Sequence, residues 1–233
     1  MSRRDDVERR LADVRRRVAT AATASGRDPD EVTLVVVTKF FPAADVRLLA
    51  DLGVGDVGEN RHQEAAAKAA ECADLDLRWH FIGGLQSNKA AAVASYADVV
   101  ESVDRPKLVA PLSRGAVERG RSLDVLLQVS LDPPDAAGHR AGADPRELTD
   151  LAGRVAEAEG LRLRGLMAVA PLGEAPATAF ARLAAIRSGL LAEHPEAGWL
   201  SAGMSGDFEA AIGAGATHVR VGSAVLGPRP SMK

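Results

Sequence analysis

Lys39 is the first residue whose position suggests covalent chemistry. It ends the segment TLVVVTK (33–39), whose run of β-branched apolar residues is typical of a strand buried on both faces. Desolvation at the end of such a strand, or a nearby cation, lowers the pKa of a lysine, and the neutral amine can then form a Schiff base with a carbonyl carbon. The strand alone also permits a second interpretation, in which the side chain only extends its charge to solvent.

Small and hydroxyl-bearing residues near the end of the chain could bind an anion. They occur in the segments SAGMSGD and VRVGS, each of which follows a strand-like stretch. Small residues let backbone N–H groups approach a phosphate, and hydroxyl groups add further donors. We therefore predict a phosphate site around Ser201, Ser205, Gly222 and Ser223. With Lys39 opposite, the ligand would carry an aldehyde at one end and a phosphate at the other.

Arg220 is the candidate for contacting the middle of such a ligand. Alternate residues of a strand face the same side, so in THVRVG the side chain of Arg220 shares a side with His218 and Gly222. An unpaired charge between a sheet and its helices is costly, so we expect this side to face the ligand. There the guanidinium could donate a hydrogen bond to a ring nitrogen. His80, in RWHFIG, is a further candidate for lining the same cavity.

Other kinds of chemistry find little support in the residues. The five histidines show no metal-ligand spacing, so we predict no metal site. Ser205 lacks the G-x-S-x-G surroundings of a hydrolase nucleophile. Cys72 is the single cysteine, which excludes a disulfide framework, and its Ala-rich surroundings predict a small buried residue.

Eight short strand-like segments alternate with helix-like segments along the chain. This is the pattern of parallel βαβ units, and eight of them predict an α/β fold, a single (β/α)8 TIM barrel with its functional residues at the carboxyl ends of the strands. The predicted strands are 33–39, 54–60, 78–83, 97–103, 123–130, 161–169, 199–204 and 217–222. An open doubly wound sheet is the alternative, and the lack of G-x-G-x-x-G after the first strand disfavours it.

The first 25 residues predict an amphipathic helix in addition to the barrel. Val7, Leu11, Val14 and Val18 recur on one stripe, and the opposite face is mostly arginine, which we expect to be solvated. Because GPRPSMK leaves almost no eighth helix, we expect this added helix to cover part of the barrel in its place. We predict one domain, 1–233, with the helix at 1–25 and a tail at 228–233.

Charge and composition narrow the classes of partner and compartment. The 233 residues include 29 Lys+Arg and 32 Asp+Glu, a net charge of −3. Nucleic acids and anionic membranes require a basic surface, so we expect neither as a partner. The charged start is unlike a signal peptide and no apolar run approaches a membrane span, which together with the single cysteine predicts a cytoplasmic protein.

Six blocks of the sequence resemble the pyridoxal phosphate homeostasis proteins. They are VVVTKFFP, GDVGENRHQE, WHFIGGLQSNK, GLMAVAP, SAGMSGDFEAAI and THVRVGSAVLG, in that family's order over residues 35–227. The resemblance implies a barrel of the alanine racemase N-terminal-domain type that carries pyridoxal 5′-phosphate (PLP) on a lysine, here Lys39 as the Schiff base. It implies that Arg220 faces the pyridine nitrogen and that Asn60 lies beside the ring.

The resemblance also implies the residues that hold the phosphate. These are Ser201, Met204, Ser205, Gly222 and Ser223. Three places depart from the family pattern: Ala202 where a methionine is expected, Arg61-His62 where an aromatic residue is common, and Arg140 in place of a lysine in the Gly-rich loop. None of these departures removes a predicted anchor of the cofactor.

Two features favour a carrier of PLP over an enzyme. An arginine keeps the ring nitrogen unprotonated, which weakens PLP as an electron sink. A two-base racemase also needs a second acid/base, which in alanine racemases is a tyrosine from an additional β-domain. Tyr96, the single tyrosine, precedes the fourth strand and is expected at the end of the barrel away from Lys39, and we expect no further domain after residue 233.

We therefore predict a non-catalytic protein that buffers or delivers PLP in vitamin B6 and amino-acid homeostasis. The expected partners are PLP and, as candidate recipients, PLP-dependent apo-enzymes, and the protein is expected to be a monomer. Two alternatives remain open: a PLP-dependent amino-acid racemase, and a Schiff-base aldolase that acts on a phosphorylated sugar without a cofactor.

Overall fold

The chain folds into a closed barrel of eight parallel strands, in which each strand pairs with the next and the last pairs with the first. A computed structural model describes residues 2–132 and 142–229. The strands are β1 (Thr33–Val37), β2 (Asp56–Glu59), β3 (Arg78–Phe81), β4 (Val99–Val103), β5 (Leu123–Gln128), β6 (Leu161–Met167), β7 (Trp199–Ser201) and β8 (His218–Val221). The predicted TIM barrel is confirmed, and the doubly wound alternative is wrong because an open sheet would leave β1 and β8 unpaired.

Helices surround the barrel between successive strands. In the described ranges they are α1 (Arg3–Ala24), α2 (Ala43–Asp51), α3 (His62–Glu71), α4 (Ala90–Ala94), α5 (Val109–Arg119), α6 (Leu148–Ala156), α7 (Pro176–Glu193), α8 (Phe208–Gly213) and α9 (Ser223–Leu226). No helix in this described part is long and apolar enough to cross a membrane. The predicted departure at Arg140, and residues 230–233 of the predicted tail, lie outside the described residues.

The helix α1 packs on α8 and α9 and buries the predicted stripe of Val7, Leu11, Val14 and Val18. Since α9 has four residues, α1 covers the side of the barrel that a longer last helix would cover. Its arginine face is largely exposed, as expected, and two of its side chains also form ion pairs with neighbouring helices. Arg3 pairs with Asp45 at 3.0 Å and Arg17 pairs with Glu209 at 2.6 Å, because α1 lies close enough to the neighbouring helices for long side chains to reach them.

Several strands end earlier than the sequence predicts. β1 ends at Val37 rather than Lys39, and β7 ends at Ser201 rather than Met204. The residues just beyond these ends keep single backbone bonds to the neighbouring strands, Thr38 N–H to Gly58 and Ala202 N–H to His218, before the chain turns toward the next helix. Lys39 and Met204 therefore lie on loops at the mouth of the barrel, where side chains are free to face a ligand.

The apolar core and a set of buried polar side chains occupy different parts of the fold. Most of the apolar core lies between the strands and the surrounding helices. The interior of the barrel carries buried polar side chains as well, including His80, Glu101, Ser201 and Arg220. Buried polar groups need hydrogen-bond partners, and these four side chains find them in one another.

Candidate functional site

A cavity of about 300 Å³ opens at the carboxyl ends of β1, β7 and β8. Its volume lies at the lower end of the range that small-molecule sites occupy. It is lined by Val37, Lys39, Phe40, Phe41, Ile82, Met204, Ser205, Gly206, Arg220, Gly222, Ser223, Gly227 and Arg229. The structure thus brings six of the eight sequence-predicted site residues to one cavity wall, and leaves Asn60 and Ser201 out of it.

Lys39 contributes the amine of this cavity. It follows β1 in a turn and is half-buried. Burial lowers the pKa of Lys39, and the positive charges of Arg229 and Arg61 lower it further. Both guanidinium groups lie over the ring of Phe40, at 4.6 Å and 5.1 Å from its centroid. These cations and the partial burial enlarge the neutral, nucleophilic fraction of the amine.

The loop after β7 and the start of α9 form a wall of small residues and hydroxyl groups. The hydroxyls of Ser223 and Ser205 are 3.3 Å apart, within hydrogen-bond distance. Within the described residues, the backbone N–H groups of Ser205 and Gly206 donate no hydrogen bond to the protein. This wall therefore offers two hydroxyls and two free backbone donors, the groups that bind a phosphate.

Gly203 shapes the turn that carries this wall. Its φ of +91° lies in the left-handed region, and a Cβ at this position would lie 2.7 Å from Phe208 Cα. No other residue fits this turn without strain, since both the backbone conformation and the close helix exclude a side chain. The turn is then fixed by Met204 N–H, which donates to Asp207 Oδ1 at 2.6 Å.

Arg220 extends from β8 into the barrel and forms the deep end of the cavity. Its Nη1 donates to Ser201 Oγ at 2.7 Å and its Nη2 donates to the Ala168 carbonyl at 2.9 Å. Burial lowers the pKa of Arg220, which the nearby Glu101 carboxylate, 3.9 Å away, counteracts. The expected inward orientation of Arg220 agrees with this geometry. A guanidinium has five N–H donors, so donors remain for a ligand.

Ser201 occupies a different place from the predicted phosphate contact. It is fully buried, and its hydroxyl donates to Glu101 Oε2 at 2.6 Å while accepting from Arg220. Its geometry therefore supports Arg220 rather than the anion wall. Asn60 directly follows β2, is half-buried and is not among the described lining residues.

His80 lies inside the barrel rather than at its mouth, so the expectation that it lines the cavity is wrong. Its Nδ1 lies 2.8 Å from Glu101 Oε1 and its Nε2 lies 2.9 Å from Asp56 Oδ1. Burial by itself lowers the pKa of His80, but the hydrogen bonds to the two carboxylates outweigh it and raise the pKa. It lies within β3, one residue before the strand ends, with its ring inside the barrel and below the cavity.

Glu101 is the residue of this network that sequence reasoning missed. Burial alone would raise its pKa, but the hydrogen bond and charge of His80, with Arg220 and Ser201, lower the pKa to about 2. The available signal was a glutamate within the apolar segment VVESV of β4. A buried carboxylate needs cationic partners, so its presence in such a strand predicts an ion network in the interior.

Two further expectations concern Cys72 and Tyr96. Cys72 is buried and unpaired, as predicted, and the described residues contain no cluster of His, Cys, Asp and Glu suited to a metal. Tyr96 lies just before β4, but its hydroxyl extends to within 3.5 Å of His62 Nδ1, at the start of α3. Burial raises the pKa of Tyr96, and this residue is not among the described lining of the cavity.

Known proteins resemble this chain over nearly its whole length. Residues 10–230 match the family model of the alanine racemase N-terminal domain. The pyridoxal phosphate homeostasis proteins of Pseudomonas aeruginosa and Mycobacterium bovis are 44% and 43% identical to it, over 94% and 97% of this chain and 94% of each relative. PipY of Synechococcus elongatus, solved with PLP bound, has 38% identity and a TM-score of 0.82, with 95% of this chain and all of that chain covered.

Proposed function

This chain belongs to the pyridoxal phosphate homeostasis proteins, which are built on the alanine racemase N-terminal domain, and we propose that it binds PLP in the cavity at the mouth of its barrel. We propose that it buffers or delivers this cofactor in vitamin B6 and amino-acid homeostasis, without robust catalysis. The observation that carries the proposal is the meeting of Lys39, Arg220 and the Ser205–Ser223 wall around one cavity.

The residues of the cavity fit the three chemical features of PLP. The Lys39 amine would condense with the aldehyde with loss of one water. Ser205, Gly206 and Ser223 would hold the phosphate through hydroxyl and backbone donors. Arg220, with donors left over from its two protein bonds, would face the pyridine nitrogen. Met204 and Gly222 complete the wall, Asn60 would lie beside the ring, and Ser201 would act through Arg220.

The charge of Arg220 bears on what bound PLP can do. PLP supplies an electron-withdrawing ring, and it withdraws electrons most strongly when its nitrogen is protonated. Arg220 is held beside the Glu101 carboxylate, whose negative charge favours the charged form of the guanidinium. A guanidinium donates hydrogen bonds and does not give up a proton, so it would leave the nitrogen unprotonated. This argues for a carrier role.

The lining of the cavity also argues against both enzymatic alternatives. Among its described residues the ionisable side chains are Lys39, Arg220 and Arg229, and none is a His, Tyr, Cys, Asp or Glu. A two-base racemase and a Schiff-base aldolase each need a second acid/base close to the substrate. The Tyr96 ring instead stacks on His62 of α3, and its hydroxyl lies 3.5 Å from His62 Nδ1.

Location, recipients and oligomeric state belong to the same proposal. We expect a cytoplasmic monomer that hands PLP to PLP-dependent apo-enzymes. The buried free thiol of Cys72 suits a reducing compartment. The opening of the cavity at one end of the barrel would let a recipient approach PLP from that side.

Absorption spectroscopy with and without added PLP tests the proposal. Wild-type protein should show a visible band, and borohydride reduction followed by peptide mapping should place the label on Lys39. The Lys39→Ala protein should lose the band, and a variant that keeps it would remove Lys39 from the proposal. Incubation of the loaded protein with L-alanine, followed by measurement of enantiomer ratios, should show no steady turnover, and sustained racemisation would instead favour the racemase.

A further inference from the structure

The backbone on both sides of Lys39 is hydrogen-bonded to two side chains of α3. Lys68 Nζ donates to the Thr38 carbonyl at 2.8 Å, and the Phe40 N–H donates to Glu64 Oε1 at 2.6 Å. Lys68 and Glu64 lie one helical turn apart and bond to each other at 2.6 Å. A single ion pair thus holds the residues immediately before and after the nucleophilic lysine.

This ion pair is anchored in the barrel by Glu59 at the end of β2. Glu59 Oε1 accepts from Lys68 Nζ at 2.7 Å and from the Thr38 hydroxyl at 2.6 Å. The three donors of the Lys68 ammonium are therefore all used, on Thr38, Glu59 and Glu64. Lys68 and Glu59 are buried, so these bonds do not compete with water.

The backbone at Phe40, in the turn after β1, is held in a conformation that a bulky residue does not adopt by preference. Its φ of +72° makes it the only non-glycine residue in the left-handed region within residues 2–132 and 142–229. A bulky residue adopts this conformation only where the surroundings impose it. The bond from the Phe40 N–H to Glu64 is one such constraint.

We propose that Glu64 and Lys68 are positioning residues, which fix the turn Thr38–Phe40 so that the Lys39 amine faces the cavity. This inference rests on the proposed function, since it concerns the amine that would capture PLP. Neither side chain is among the described lining of the cavity, so both would act through the backbone next to Lys39. Positioning a nucleophile in advance speeds its reaction because less freedom is lost on the way to the transition state.

Three substitutions separate positioning from charge. Glu64→Ala removes both the acceptor for Phe40 N–H and the negative charge, whereas Glu64→Gln removes the charge and keeps an acceptor. Glu71→Ala is the matched control, since Glu71 is an exposed glutamate on the same helix. The readouts are the rate of PLP capture across pH, followed by stopped-flow absorbance, and hydrogen exchange of residues 38–41 in protein without PLP.

The two Glu64 variants should behave alike in one respect and differently in another. The charge of Glu64 raises the pKa of Lys39, so both variants should move the capture profile to lower pH. At its own optimum pH, Glu64→Ala should capture PLP about tenfold more slowly than wild type, whereas Glu64→Gln stays within about threefold. Exchange at residues 38–41 should accelerate in Glu64→Ala and not in Glu71→Ala.

The inference is overturned if Glu64→Ala matches wild type in both capture rate and exchange, or if Glu64→Gln is slowed as much as Glu64→Ala. The second outcome would assign the effect to charge alone. If wild-type protein itself takes up no PLP, the proposed function fails instead, and the exchange measurement still reports whether Glu64 holds the turn. Glu64 is partly exposed and alanine favours helices, so Glu64→Ala should fold, which circular dichroism would verify.

Discussion

His80 Nδ1 and Glu101 Oε1 lie 2.8 Å apart inside the barrel, below the cavity and fully enclosed by the strands. From Glu101 the contacts continue through Ser201 to Arg220, and from His80 they continue to Asp56 at the start of β2. The side chain that would face the ring of PLP is therefore connected to the opposite end of the barrel.

Ser201→Ala should destabilise the protein, because the substitution removes the hydroxyl that joins Arg220 to Glu101. The Arg220 guanidinium and the Glu101 carboxylate would each lose one hydrogen-bond partner. This loss should lower the free energy of unfolding by about 1–3 kcal/mol. Ser102→Ala is the control, since Ser102 is buried on β4 and its hydroxyl has no hydrogen-bond partner within the described residues. Urea unfolding should rank Ser201→Ala below Ser102→Ala, and equal stabilities would contradict a supporting role for Ser201.

Acid should weaken the fold in two stages. The pKa of His218 is lowered to about 4 by burial, from an ordinary value of 6.5, so the unfolded chain binds more protons between these values. The free energy of unfolding should therefore fall as the pH drops from 6.5 to 4. His218→Gln should flatten this stage in urea titrations, and an unchanged slope would exclude His218 as its source.

The second stage belongs to Glu101, whose pKa lies near 2 in the folded protein against an ordinary 4.5. Its stabilising contribution should be complete above pH 4.5 and should disappear as the pH falls toward 2. His80 has the opposite sign, because its pKa is raised: its contribution is complete below 6.5 and is lost as the pH rises through that raised value. Thermal unfolding of wild-type protein should therefore show greatest stability near neutral pH.

Arg61→Ala and Arg229→Ala should slow the capture of PLP at pH 7.5. Both arginines lower the pKa of Lys39, so removing either should raise that pKa and reduce the neutral fraction of the amine. The capture profile should shift to higher pH in both variants while the maximum rate changes little. Arg9→Ala, on the exposed surface of α1, serves as a control of equal charge, and a shift in that variant would point to a general charge effect.

Gly203→Ala should destabilise the fold and weaken PLP binding together. An alanine here would have to keep a φ of +91°, and its Cβ would lie 2.7 Å from Phe208 Cα. Both effects strain the turn that carries Met204 and Ser205. A loss of about 1–3 kcal/mol is expected from such backbone strain. Gly189→Ala, in α7 with open space around it, should instead raise stability by about 0.5–1 kcal/mol.

Leu11→Ala tests whether α1 is part of the fold. Leu11 is buried between α1 and the barrel, so the truncation should lower the free energy of unfolding by about 2–5 kcal/mol. Removal of residues 1–25 should expose the apolar surface that α1 covers and yield a poorly soluble protein. A soluble, fully stable truncated chain would show that this surface needs no cover.

Much of the fold followed from periodicity in the sequence. Short runs of β-branched residues alternate with helix-periodic segments, and each run marks one of the eight strands. This works because a parallel strand buried on both faces must be apolar along most of its length. Strand ends were less predictable. The sequence predicts a first strand through Lys39, yet β1 ends at Val37. The Thr38 N–H still donates to the Gly58 carbonyl of β2, but the Thr38 carbonyl accepts from Lys68 and the Phe40 N–H donates to Glu64, both on α3.

The sequence by itself identified the chemistry: an amine at Lys39, hydroxyls and small residues at 205 and 223, and an arginine at 220. Their types and order along the chain were sufficient, because a parallel barrel gathers every strand's carboxyl end at one face. Only the tertiary structure decided which polar residues reach the cavity and which lie beneath it. Ser201 and His80 look like site residues in the sequence, but their partner, Glu101, comes from a distant strand, and such a buried pairing depends on distances that the order of residues does not contain.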